Sequence, residues 1–384
     1  MITSVPSDRV PTSDDSGVLH DHPAVGQPIT SLPTPAPLID LPILERNIAT
    51  MAAFFNDRPA TIRPHAKTHR TPVIARMQIA AGATGITTPK TSVAEAMVDG
   101  GIEDVFIANQ VVAPAMIRRL VALARRAKVS VLTDDARNVI QLSESATATG
   151  VTLDVLIEIE SGMSRCGTRP GAPAVALAEA IARAPGVQFA GIHIYEGHLV
   201  QVPERAERIR ATKAMLDIGL ETAAMIRRVG IDVGTVTCGG TGTYDISGVY
   251  PGVTEHQAGS YVYMDPGYQE KAPAFGLAFS LLSTVLSAPT PDRIVVDSGL
   301  QVLSTGGGTA AAKGHPELTV RGLSEEHGTL TTTDGSPTGF AAGDLIELHP
   351  GHCCAAANLH DAVYAVRNGT VEAVWAVTAR GLSQ

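Results

Sequence analysis

Lys67 stands in Arg63-Pro64-His65-Ala66-Lys67-Thr68-His69-Arg70, with a histidine two residues away on each side. The segment closes a β-like run, Thr61–Ala66. Lysines are seldom fully buried without a partner. At a strand end among cationic neighbours a lysine amine loses its proton more readily, and the free amine can form a Schiff base with a carbonyl. Taken alone, the octapeptide also reads as a basic surface loop. A second cluster runs His349-Pro350-Gly351-His352-Cys353-Cys354 and on to His360-Asp361. If it is extended, His352 and Cys354 point to one face. Imidazole and thiolate together suit zinc, and two protein ligands leave room for water or substrate, as in a catalytic metal site. The competing reading is a buried cysteine beside a surface histidine.

These groups need elements to hold them. Short β-like runs recur at Thr61–Ala66, Gly85–Pro89, Asp104–Ala108, Val129–Thr133, Leu153–Glu160, Phe189–Tyr195, Thr235–Cys238 and Glu255–Tyr263. Between most of them lie amphipathic, Ala- and Arg-rich stretches, several of which begin at a proline or follow Ser or Asp, the usual helix-start signals. Eight alternations of strand and helix imply parallel βαβ units and predict an α/β fold, a (β/α)8 TIM barrel. The seventh connection, Tyr244–Thr254, is short and glycine-rich, which leaves little chain for a helix. Past Pro273 the pattern changes to strands without helices, ending in a hairpin over Asp361–Gly381 with Asn368-Gly369 as its tight turn. The expected organisation is a disordered tail over 1–36, a barrel over 37–275 and a C-terminal all-β domain over 276–384. A first strand near 37–42 is a candidate member of the β domain.

Barrel active sites lie at the C-terminal ends of the strands. That rim carries Lys67 and His65, the segment Glu160–Gly167 with Arg165, then Tyr195 and His198, Gly239–Thr243, and Gln257–Tyr261. Glycine-rich loops after strands seven and eight (Gly240, Thr241, Gly242 and Thr243; Gly259, Ser260 and Tyr261) can offer backbone N–H groups and hydroxyls to an anion. Two such loops facing a strand-end lysine predict a phosphate-bearing aldehyde cofactor, pyridoxal 5′-phosphate (PLP).

Composition narrows the partners. Of 384 residues, 44% are hydrophobic and 17% charged, as in soluble globular proteins. The net charge of −9 argues against nucleic acid and anionic membranes. Four cysteines are too few for a disulfide framework, and the adjacent Cys353 and Cys354 rarely reach disulfide geometry, so a reducing, cytoplasmic setting is expected. The N-terminus has no apolar core of a signal peptide, and no apolar run approaches the roughly 18 residues of a membrane span.

With these motifs in place, the chain resembles the fold-type III PLP enzymes, the alanine-racemase-like barrels, and within them the D-threonine aldolase and D-serine dehydratase family. The resemblance covers nearly everything after the tail. It implies that Lys67 is the Schiff-base lysine, that Arg165 in Gly162–Gly167 contacts the cofactor's phenolic oxygen, and that Gln257 faces the pyridine nitrogen. It implies that Gly240–Thr243 and Gly259–Tyr261 bind the phosphate, and that His352 and Cys354 hold a divalent metal, zinc or manganese. Glu325-Glu326-His327-Gly328 matches a further motif of the β domain. His65 and Tyr195 join the expected cofactor contacts, with Tyr195 or His198 as the base near the substrate. The family's aldolases carry His-x-Asp at the metal pair, and His352-x-Cys354 resembles the dehydratase version. Asn358–Asp361 and the closing Ala379–Ser383 resemble the aldolases. The resemblance implies a metal-assisted lyase on D-3-hydroxy amino acids, as a homodimer, with aldolase ahead of dehydratase. A racemase or a non-catalytic PLP carrier would not need the metal pair.

Overall fold

The computed structural model describes residues 17–384. Strand β1 (Ala36–Asp40) runs straight into helix α1 (Leu41–Asn56), and the Asp40 carboxylate caps the helix by accepting the Ile43 N–H at 3.0 Å. Leu44, Ile48, Met51 and Phe55 fall on one face of α1 and are buried. Alternation follows: β2 (Thr61–Ile62), α2 (Pro72–Ala80), β3 (Ile86–Thr88), α3 (Thr91–Asp99), β4 (Asp104–Gln110), α4 (Pro114–Leu123), β5 (Lys128–Thr133), α5 (Ala136–Thr149). It continues through β6 (Leu153–Ile159), α6 (Ala172–Arg183), β7 (Val187–Ile194), α7 (Arg205–Arg228), β8 (Thr235–Cys238), α8 (Tyr244–Ser247), β9 (Glu255–His256) and α9 (Pro266–Gln269).

Strands β2 to β9 form one parallel sheet in the order β2-β9-β8-β7-β6-β5-β4-β3, and a bridge between His65 and Thr87 brings its two ends together. The eight-stranded α/β barrel expected from the alternation is therefore present. Two strands are shorter than their apolar runs predict. β2 stops at Ile62, two residues before Pro64, which has no N–H for a ladder. β9 stops at His256, and the chain then tightens into a 3-10 turn, Ser260–Val262. The residues with chemistry sit in these irregular turns. The seventh connection holds only the four-residue α8. Helix α1 takes the place of an eighth helix: Asn47, fully buried, donates to the carbonyls of Val262 and Gly276 and accepts the Gly276 N–H at 2.8 Å.

The second sheet collects β10 (Phe279–Thr290), β11 (Arg293–Val296), β12 (Ala311–Ala312), β13 (Leu318–Leu323), β14 (Gly328–Thr332), β15 (Leu345–His349), β16 (Ala362–Arg367) and β17 (Thr370–Ala376), with helix α10 (Cys353–Ala357) between β15 and β16. β1 pairs antiparallel with β10 and parallel with β16, so it belongs to this sheet although it precedes the barrel. Asn368 and Gly369 turn the final hairpin with φ of 51° and 74°, the left-handed values a type I′ turn needs. One expectation is corrected. Of the segment read as a disordered tail, residues 1–16 lie outside the described residues, but the part from Gly17 on is laid along β17. The Leu19 N–H donates to Val374 O at 2.9 Å and the Gly26 N–H to Val371 O at 2.8 Å. Leu19, Ala24 and Leu32 bury against Leu38, Leu282, Val371 and Val374. Its Pro- and Ser-rich composition concealed this short apolar register.

Candidate active site

The turn after β2 presents Lys67. It is held by the Ala66 N–H bonded to Thr87 O, by the Arg70 N–H bonded to Ala66 O, and by the Lys67 N–H bonded to His65 Nδ1 at 3.3 Å. Arg70 adopts φ of 53° and donates to the carbonyls of Ala379 and Leu382, which anchors the lysine turn to the C-terminal segment. Arg63 points elsewhere. It is buried against Glu255 and Asp104 at 2.7 and 2.6 Å, under the barrel floor. Around Lys67 a cavity is lined by His65, Ala108, Arg165, His193, Tyr195, Gly239, Gly240, Thr241, Gln257, Gly259, Ser260 and Tyr268. The Lys67 ammonium lies 5.9 Å from the Tyr195 ring centre and the Arg165 guanidinium 5.4 Å from it. Arg165 reaches Glu158 at 3.2 Å, and Gln110 holds the other Glu158 oxygen at 2.5 Å.

Burial sets the protonation of this wall. His193 is pushed down from 6.5 to about 4, burial outweighing the nearby Glu158 carboxylate. His65 is pushed well below its ordinary value by burial and then by the Lys67 charge. Both imidazoles are therefore neutral near pH 7. Beneath them runs a chain of donors: Gln257 Nε2 to Thr237 Oγ1 (2.6 Å), then Thr237 Oγ1 to Glu255 Oε1 (2.9 Å). Because the Thr237 proton is committed to Glu255, Gln257 must give Thr237 an amide hydrogen, which fixes which way its amide faces.

Two short turns close the far side. Thr241 Oγ1 accepts the Tyr261 N–H at 3.0 Å and so ties the loop after β8 to the turn after β9. The N–H groups of Thr241, Gly242 and Ser260 have no acceptor among the described residues, the ordinary condition of a helix start and the one an anion satisfies. A side chain at Gly259 would press on the His65 carbonyl at 2.6 Å, so glycine is what lets this turn lie against the lysine segment. An amine, a guanidinium, neutral imidazoles and two sets of free N–H groups around one cavity form a donor set that fits PLP.

The β domain completes the site. His352, Cys353 and Cys354 place their ligand atoms within 4.8 Å of one another. The expected reason, an extended strand, is corrected: Cys353–Ala357 is helix α10, with His352 just before it. His352 Nδ1 donates to Asp265 Oδ2 at 3.0 Å, a carboxylate only 2% exposed, which leaves Nε2 as the free ligand atom. Asp265 followed by the Cys354 thiolate raises His352 from 6.5 to about 10. The Cys353 thiol is held up by Cys354 and burial, whereas Cys354 is held down as the thiolate by the hydrogen bond from Cys353 and by His352. Cys354 Sγ lies 3.3 Å from Thr68 Oγ1 and 3.8 Å from Ser260 Oγ, so the His–Cys pair abuts the Lys67 turn. An imidazole and a thiolate whose ligand atoms lie within 4.8 Å of each other fit a divalent metal.

The structure brings His65, Lys67, Arg165, Tyr195, Gly240, Thr241, Gln257, Gly259 and Ser260 to one cavity, with His352 and Cys354 beside it. It does not bring Gly242, Thr243 or Tyr261 to the wall: Thr243 and Gly242 are buried behind it, and the Tyr261 hydroxyl turns away to accept from Gln78 at 2.9 Å. His198 is exposed, facing Gly162. Sequence reading missed His193, Tyr268, Ala108 and Asp265. Strand alternation carries His193, two residues before Tyr195 and on the same face. Asp265 and Tyr268 have no such signal, since they follow the last barrel strand. Glu325–Gly328 lies away from the cavity, its Glu325 carbonyl accepting the Gln301 N–H.

Residues 39–266 match the family model "Alanine racemase, N-terminal domain", and residues 278–366 match "Putative serine dehydratase domain". A D-threonine aldolase of Arthrobacter sp. is 39% identical over 94% of this chain and 96% of its own. A 3-hydroxy-D-aspartate aldolase of Paracoccus denitrificans is 35% identical, covering 96% and 98%. A D-threo-3-hydroxyaspartate dehydratase of Delftia sp. is 30% identical, covering 85% and 92%. The crystal structure of a D-threonine aldolase from Filomicrobium marinum superposes with a TM-score of 0.91 at 38% identity, covering 94% of this chain and 99% of that one. The chain belongs to the alanine-racemase-like, fold-type III PLP family.

Proposed function

We propose that the protein is a PLP- and divalent-metal-dependent lyase of D-3-hydroxy amino acids, of the D-threonine aldolase type, cleaving D-threonine to glycine and acetaldehyde. The observation that carries this reading is the contact of Cys354 with Thr68 and Ser260, which sets the His–Cys pair beside the lysine cavity. A cofactor-storage protein or a racemase has no use for a metal at that place. PLP bound there supplies an electron sink for the bond broken at Cα. A metal on His352 and Cys354 supplies Lewis acidity to the substrate's β-hydroxyl.

The chain's own residues do the rest. Lys67 would hold the cofactor through its amine, and its Nζ would carry a proton to or from Cα. Arg165, restrained by Glu158, meets the cofactor's phenolic oxygen. The N–H groups of Thr241 and Ser260, both in the cavity wall, bind phosphate. Gln257 offers the pyridine nitrogen a neutral partner, which stabilises a full negative charge less than a carboxylate-paired ring would, so the Lewis acid at the other end matters more. The loop after β7 offers two candidate bases for the β-hydroxyl proton, Tyr195 in the cavity wall and His198 on the exposed side of the loop. Tyr195, in the wall, orients cofactor and lysine.

A second reading has a specific observation behind it. Cys354 gives the metal pair its dehydratase-like form, and a Delftia relative is named a dehydratase. In that route Lys67 would take the α-proton as the β-hydroxyl leaves as water, and water would then hydrolyse the resulting enamine to a 2-oxo acid and ammonia; a metal on His352 and Cys354 would supply Lewis acidity to the leaving hydroxyl. Incubation with D-threonine, D-serine and D-3-hydroxyaspartate, with and without chelator, separates the two by product. No turnover of any of them by PLP-loaded protein overturns the lyase reading. The proposal includes a cytoplasmic homodimer with its active sites near the subunit interface, which sedimentation tests.

A further inference from the structure

We propose that Glu196 is a positioning residue that works as an uncharged acid, holding the loop Gly239–Thr243 in the shape that receives the cofactor's phosphate. Its proton and the bound phosphate are then linked. The proposal rests on the reading of that loop as the phosphate site.

Glu196 lies two residues beyond β7 and is fully buried. One carboxyl oxygen accepts the Gly239 N–H at 3.1 Å, and the other is 2.7 Å from Thr243 Oγ1. Both partners belong to one loop, whose Gly239, Gly240 and Thr241 form the cavity wall. Space on the Glu196 side is tight: a side chain at Gly242 would meet the Val200 carbonyl at 2.0 Å. A carboxylate there would be an anion directly behind a bound phosphate.

The surroundings supply no compensating cation. From β8 comes Cys238, a thiol pushed up well above its ordinary value by burial and then by Glu196 itself. From α8 comes the Ser247 hydroxyl, which touches both the Thr243 carbonyl and His256. From β9 comes His256, fully buried and pushed down from 6.5 to about 3 by burial. Its Nδ1 accepts the Ala258 N–H, so it is neutral. Among the described residues no lysine, arginine or histidine forms an ion pair with Glu196. Burial raises the Glu196 carboxyl above its ordinary value.

The hydrogen bonds close without a charge. The Thr243 hydroxyl donates to an ionised Glu196; a protonated Glu196 reverses that bond and donates to Thr243 Oγ1, whose own hydrogen then goes to Gly240 O at 3.2 Å, while the second Glu196 oxygen keeps the Gly239 N–H. Glu196, the Gly239 N–H and the Thr243 hydroxyl then each have a partner, and no anion lies behind the loop. Linkage sets the sign. Phosphate binding favours the protonated acid, so PLP affinity falls as pH rises through the titration of Glu196 in the apoprotein, by up to about tenfold per pH unit.

The test is PLP affinity of the apoprotein, read by absorbance and fluorescence upward in pH from the ordinary carboxyl range, the direction in which burial moves Glu196. It compares the wild type with Glu196→Gln and Glu196→Ala. The amide of Glu196→Gln donates to Thr243 and accepts from Gly239 as the acid does. That variant is expected to bind within about threefold of wild type at the low end and to lack the wild type's extra loss of affinity at the high end. Glu196→Ala is expected to bind at least about tenfold more weakly throughout. Titration of Lys67 and of the phosphate is common to all three proteins and cancels in the comparison. Coincident pH profiles for wild type and Glu196→Gln overturn the proposal, as does a Glu196→Gln affinity as poor as that of Glu196→Ala. Should Glu196→Ala fail to fold, the wild-type and Glu196→Gln profiles decide alone. Absence of PLP uptake by the wild type overturns the cofactor reading, and this proposal with it.

Discussion

Lys67 and Cys354 come from different domains and meet across one residue, Thr68. That contact makes the lysine and the metal pair one site, and each can be tested separately. Lys67→Ala is expected to lose the PLP absorbance band at roughly 410–430 nm and all turnover while still binding metal. Asp265 fixes the His352 ring through Nδ1, so Asp265→Asn is expected to weaken metal binding by about 10- to 100-fold, read by competition with a chromophoric chelator. Metal must displace a proton from His352, which is raised to about 10, so metal affinity is expected to rise with pH up to that value. His198→Ala is expected to slow D-threonine cleavage by about 10²- to 10⁴-fold with the PLP spectrum unchanged. A spectrum lost along with activity would assign His198 to cofactor binding instead.

The elements matter for where they stop. β2 and β9 are two residues each, and the chain they release forms the lysine turn and one of the two anion turns. Helix α10 begins where a strand was expected, and its first turn gathers His352 and Cys354 as alternation along a strand would have. Helix α1 has no barrel strand before it, yet closes the barrel through Asn47. Asn47→Ala leaves the Gly276 N–H and carbonyl unpartnered in the interior and is expected to cost about 2–4 kcal/mol in urea unfolding.

At the scale of the whole molecule, three buried imidazoles tie stability to pH. His69 and His193 are lowered from 6.5 to about 4, and His256 to about 3, in each case chiefly by burial. A histidine held below its unfolded value stabilises the fold above 6.5, and that stability is lost as pH falls toward the folded value. Each contributes on the order of 3 kcal/mol, a large share of the roughly 5–15 kcal/mol that holds a domain together. The thermal midpoint of the metal-free apoprotein is therefore expected to drop steeply between pH 6.5 and about 4. A flat profile over that range would refute the account. Because His352 and Cys354 belong to the β domain and Asp265 to the chain just past β9, added zinc is expected to raise the midpoint by clamping the two domains together.

Periodicity alone determined the barrel, the position of Lys67 and the rim that surrounds it, because strand and helix periods and the strand-end rule are local properties of the chain. Strand alternation also contained His193, two residues before Tyr195 and on the same face. Local pattern could not supply Asp265 against His352, Glu196 behind the loop Gly239–Thr243, or the docking of Leu19 and Leu32 against the strands of the β domain. Each of these depends on packing between segments far apart in sequence, and on burial that changes what a carboxyl or an imidazole does. Lys67 could be named from its neighbours in the chain. That a thiolate from residue 354 stands beside it was decided only by how the β domain closes over the barrel.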